Sequence, residues 1–117
     1  MSGPYVFLIH RDASGKYACK AQQGCRKVYL PGGRLGTHRS LEQQVFEQGW
    51  RIVELGEEIS RDPYGADGTD EVIWREAKLA QRPHFVGKFY PVWATVEDIN
   101  RHDWLHEDVL EEYENGS

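Results

Sequence analysis

The chain has 117 residues, of which 39% are hydrophobic and 12% aromatic; this is enough for one domain over 1–117 with a single core, and it excludes a disordered polymer. A formal net charge of −5 excludes a sequence-independent nucleic-acid binder, which needs a basic face. No apolar run nears the ~20 residues of a membrane helix, and MSGPYVFLIH lacks the basic start of a signal peptide, so a cytoplasmic protein with no membrane contact is expected, its Cys19 and Cys25 reduced and not part of a zinc site.

Residues 5–10 and 16–22 alternate as the strands of a hairpin, with Gly15 in the turn Asp12-Ala13-Ser14-Gly15. Residues 23–26 form a loop, and 27–30 a short strand that leads into Pro31-Gly32-Gly33. Arg26, Lys27, Arg34, His38 and Arg39 cluster around that turn, either as a solvated loop or as a patch able to meet a phosphate. Ser40 reads as an N-cap, with Gln43 completing a capping box. Leu41, Val45, Gly49, Ile52 and Val53 then recur at helical spacing, and Gly56 reads as the stop, so a helix is expected over about 40–55. Strands are expected at 57–61, 71–80 and 85–96, with a polar loop at 62–70 whose acids lack the spacing of a calcium loop. A short strand at 104–105 and a C-terminal helix at about 106–114 complete the chain. This order, with local hairpins in place of repeated βαβ units, gives an α+β fold with a mixed sheet.

Residues 30–56, LPGGRLGTHRSLEQQVFEQGWRIVELG, resemble the signature of the Nudix hydrolase family, G-x5-E-x7-R-E-U-x-E-E-x-G-U with U a bulky aliphatic. YVFLIHRDASGKYACKA and FYPVWATVEDIN are similar to its opening hairpin and a late strand, so the resemblance covers nearly the whole chain. It implies a Nudix-like mixed sheet with a box helix. In the family the box acids hold magnesium, which neutralises a diphosphate and activates water. Counted without gaps from Gly33, the first acid falls at Arg39, the Arg-Glu pair at Glu47 and Gln48, the last two acids at Arg51 and Ile52, and the closing Gly at Glu54. This register places Val45, Gly49 and Val53 on the buried side. A second register aligns the closing Gly with Gly56 and restores one acid, Glu54.

A guanidinium at a metal-ligand position repels a dication and is itself a planar donor for phosphate. The expectation is therefore a Nudix-like protein with a degenerate box, no metal site and no cofactor. It would bind a nucleotide, another phosphate-containing ligand or a protein partner through Gly32, Gly33, Arg34 and Arg51. Two alternatives stand beside it. One is a divergent magnesium-dependent hydrolase of nucleoside diphosphate derivatives, with Glu47 and Glu54 as its catalytic candidates. The other is a small inhibitor or adaptor module. Glu47 is expected to pair with Arg51 one helical turn on, and His102 and His106, spaced i,i+4, are weak candidates for a metal pair.

Overall fold

The computed structural model describes residues 3–36, 39–65, 68–83 and 87–116; His38 of the basic cluster and Phe85, the expected start of a strand, lie outside them. Strand β1 (Tyr5–Ile9) is the organising element. It pairs antiparallel with β4 (Gly32–Arg34) and parallel with β6 (Asp70–Gln81), which in turn pairs antiparallel with β5 (Trp50–Tyr64). A second sheet holds β2 (Tyr17–Gln22) between β3 (Val28–Tyr29) and β7 (Phe89–Ala94). The expected hairpin between the first two strands is therefore mostly a connection. Beyond the Arg11–Tyr17 bridge and the Ala18 N–H bond to the His10 carbonyl, β1 and β2 diverge into different sheets. Asp12 Oδ1 accepts from Ser14 N, Ser14 Oγ and Lys16 N at 2.7–2.9 Å, which sets the turn.

Alternation along the strands builds two cores. Phe7 and Ile9 of β1, Tyr17 and Cys19 of β2, and Val72 and Trp74 of β6 share one cluster with Ile99, Val109 and Leu110. Val6 and Leu8, Ala18 and Ile73 point the other way, to Val45, Trp50 and Leu79. A strand buried on both faces explains why VFLI is continuously apolar instead of alternating. Helix α1 (Leu41–Glu47) covers the second cluster; α2 (Val96–His102) and α3 (Trp104–Asn115) cover the first.

Three expectations need correction. The box helix starts as expected, with Ser40 and Gln43 in a reciprocal capping box, but it ends at Glu47 and not near 55. Gly49 adopts φ +95° against Pro91, where a side chain would collide, and the β-favouring run Trp50-Arg51-Ile52-Val53 enters β5 instead. Val45 and Gly49 are buried, as the ungapped register requires, but Val53 is exposed. The 104–105 segment is the first turn of α3, capped by Asp103 Oδ1 on Leu105 N at 3.1 Å. Residues 96–102, expected as strand end and loop, form α2, with Thr95 Oγ1 accepting from Asp98 N.

The Pro31-Gly32-Gly33 turn is held against β1 by Leu8 N to the Pro31 carbonyl, 2.9 Å. Gly32 lies at φ +123°, and a Cβ there would overlap the Val6 carbonyl oxygen. Gly32→Ala should therefore cost about 2–4 kcal/mol in urea unfolding. Gly36→Ala, whose Cβ would meet open space, should stay within about 0.5 kcal/mol of wild type.

Candidate functional site

The centre of the site is the Gly32 carbonyl. The Gln48 side-chain amide, just past the end of α1, grips both polar groups of Gly32. Gly32 N donates to Oε1 and Nε2 donates to the Gly32 oxygen, each at 2.9 Å in a buried setting. Only an amide makes this reciprocal pair; a carboxylate could accept but not donate. The same oxygen accepts from a second donor, the Lys20 ammonium, at 2.6 Å. Two donors thus fill the lone pairs of this carbonyl.

Lys20 comes from the middle of β2 and is 8% exposed. Its Nζ lies 5.2 Å from the Phe89 ring centroid and 6.0 Å from that of Phe7. Among the described residues it makes no ion pair. Burial pushes its pKa down to about 8, against a smaller upward pull from Asp103.

A cavity of about 350 Å³ opens over this amine. Tyr5, Phe7, Tyr29, Tyr64, Phe89 and Trp104 give it aromatic walls, and Trp104 stands 75% exposed at the rim. Lys20, Gly33 and Asp103 supply its polar surface. Behind Asp103, Trp74 Nε1 donates to His106 Nδ1 at 3.1 Å, so a neutral His106 carries its proton on Nε2. That nitrogen lies 3.0 Å from Asp103 Oδ2, yet the two atoms are not aligned as a hydrogen bond. Burial lowers the His106 pKa and keeps the ring neutral, with Asp103 opposing the shift. His106 therefore serves the core through Trp74 and Asp103.

The residues expected from sequence separate into two groups. Gly32 supplies the contacted carbonyl and Gly33 lines the cavity. Arg34 lies beside them, its guanidinium 5.0 Å from the Tyr5 ring centroid and 2.7 Å from Asp70. Arg51 is on β5 opposite Ala80, exposed and outside the cavity lining. Glu47 ends α1 and pairs with Arg39 instead of Arg51; with the helix finished, no i,i+4 relation to Arg51 exists. Glu54 lies opposite Lys78 and lines a separate cavity of about 370 Å³ with His10 and Glu76. The residues that the sequence reading missed are Lys20 and Asp103. A lysine between Cys19 and Ala21 in an otherwise apolar strand was the available signal, because lysine is rarely buried without a purpose or partner.

The chain superposes on known structures over nearly its whole length. A NUDIX hydrolase from Nitrosomonas europaea superposes with a TM-score of 0.65 at 16% identity, covering 97% of this chain and 89% of that one. The chain has the Nudix fold. A MutT chain described for Aliivibrio salmonicida and Vibrio cholerae gives a TM-score of 0.64 at 12% identity, with 93% and 97% coverage. MutT from Methanosarcina mazei Go1 gives 0.56 at 18%, with 97% and 96%. No protein-family profile matches the chain, and no curated protein matches it in sequence.

Magnesium, which the Nudix fold brings to mind, does not fit the residues at this turn. Magnesium needs oxygen ligands in octahedral array. In the ungapped register the box positions would be Arg39, Gln48, Arg51 and Ile52, but α1 ends at Glu47, and Arg51 and Ile52 lie on β5. Among the described residues no three His, Cys, Asp or Glu side chains group closely enough to hold an ion. The turn's own carbonyl already faces a cation.

Keeping Lys20 buried costs stability, with a definite sign. Its folded pKa lies below the unfolded value of 10.5, so the cost is full below about pH 8 and disappears as pH rises toward 10.5. Lys20→Met should raise unfolding free energy at pH 7 by about 1–3 kcal/mol. The advantage should shrink between pH 8 and 10, as read by denaturant titration at each pH.

Proposed function

We propose that this Nudix-fold chain works as one domain that binds a nucleotide or another phosphate-bearing ligand in the Lys20 cavity, without metal-dependent hydrolysis. The observation that carries this reading is a buried ammonium at the base of an aromatic cavity of ligand size. An anion placed there meets a charge already held in low dielectric, where attraction is stronger than in water. It also relieves part of the cost of keeping Lys20 buried. The aromatic walls offer stacking faces for a base. Gly33 lines the cavity, and Arg34, over the Tyr5 ring and paired with Asp70, lies beside it. The cytoplasm, where such ligands are abundant and thiols stay reduced, suits a chain whose Cys19 and Cys25 are both free.

A second reading has its own observation. Glu54 and Glu76 share the other cavity with His10, and two carboxylates near a histidine are a reasonable start for a divergent magnesium-dependent hydrolase. Turnover of nucleoside diphosphate derivatives that needs magnesium and is lost in Glu54→Gln would establish that reading in place of the first.

Calorimetry with a nucleotide panel, run in chelator, tests the proposal. Binding should persist in chelator, and Lys20→Met should weaken it about ten- to a hundred-fold, the size of one charge-assisted hydrogen bond. Arg34→Ala should weaken it less. Loss of binding in Arg51→Ala instead would move the site onto β5. Chelator-sensitive binding would restore a metal site, and silence across the panel would favour a protein partner.

A further inference from the structure

Lys20 has the surroundings of a reactive amine as well as those of an anion-binding cation. Lys20 lines an open cavity and makes no ion pair among the described residues, and its Nζ donates to one backbone carbonyl. Exposed lysines such as Lys16, Lys27 and Lys88 have no comparable apolar enclosure. A lysine desolvated among apolar groups is the usual setting for amine nucleophiles that attack carbonyl carbon.

We propose that Lys20 captures aldehyde-bearing aromatic ligands in this cavity as an imine. The Nζ lone pair attacks the aldehyde carbon, forming the C–N bond while the carbonyl π pair moves onto oxygen. The resulting carbinolamine loses that oxygen as water, which carries away both amine hydrogens, and a C=N bond remains. Asp103 supplies a carboxylate to the same cavity wall. The other titratable groups around the amine are Tyr5, Tyr29 and Tyr64 on the walls and His106 behind Asp103. Of these, Tyr29 is shifted upward by burial and stays neutral near pH 7, as does buried His106. With its pKa brought down to about 8, roughly a tenth of Lys20 is uncharged at pH 7, against about three in ten thousand of an ordinary lysine. The aromatic walls select a planar aldehyde, and the anion-binding role proposed for Lys20 favours one that carries an anionic group.

This inference uses the same cavity as the binding proposal, and its test separates the two. The folded chain is mixed with one equivalent of pyridoxal phosphate, or of pyridoxal as the arm without phosphate. It is then reduced with borohydride, which fixes any imine as a stable secondary amine, and digested for peptide mass spectrometry. Lys20 should carry at least tenfold more adduct than Lys16, Lys27, Lys78 or Lys88, with the phosphate arm faster. Selectivity should vanish in urea, where Lys20 becomes an ordinary lysine. Excess nucleotide should protect Lys20 if the binding proposal holds; adduct without protection keeps the amine chemistry and overturns that proposal alone. Lys20→Arg, which keeps the charge and cannot form an imine, should bind nucleotide and lose the adduct. Labelling spread over the exposed lysines with Lys20 unmodified, or equal labelling in urea, would overturn the inference even if the variant fails to fold.

Discussion

The Gly32 carbonyl is the point on which the architecture turns. It receives an ammonium from β2 and an amide from the end of α1, while its own N–H returns a bond to that amide. Three elements that are distant in sequence are thereby fixed relative to one another: the glycine turn, the end of the first helix, and the central strand of the second sheet. The glycine requirement has the same origin. The turn approaches β1 so closely that Gly32 has no room for a side chain, and that approach delivers its carbonyl to the interior.

The short α1 and the cationic cavity belong together. A longer helix would carry the positions of Arg51, Ile52 and Glu54 past the turn on a helical face. Gly49 ends the helix against Pro91, and those residues pass into β5, where they alternate along an edge strand. The glutamine that remains at the helix end is buried and neutral, and the charge near the turn is Lys20. What the fold offers a ligand here is a fixed positive charge enclosed by rings.

Much of the scaffold was legible from the chain. The capping residues Ser40 and Gln43 located the start of α1, and the Pro-Gly-Gly run located a turn, whose close approach to β1 only the structure shows. The α2 start was not read from the chain, although Thr95 Oγ1 caps Asp98 N once the preceding strand ends at Ala94. The helix end was misread because Ile52 and Val53 continue a helical period by coincidence, while the aromatic and β-branched run from Trp50 favours a strand. Periodicity cannot separate these over one or two turns. The site was only half legible for a different reason. Gly32, Gly33 and Arg34 are contiguous, so a motif exposes them. Lys20, Asp103 and the aromatic walls come from six separate parts of the chain and meet only when the two sheets pack.

The central claim is that an ammonium and an amide occupy the Gly32 carbonyl in place of a divalent ion. Paramagnetic relaxation with manganese tests it most directly. Amide signals of the folded protein are followed as manganese is added to submillimolar concentration, with the exposed acids of α3 as the internal measure of weak, nonspecific binding. The account predicts that Gly32, Gly33 and Gln48 broaden no more than those surface residues. Selective broadening of these three at low manganese, abolished by magnesium, would show a metal seated at the turn and contradict it.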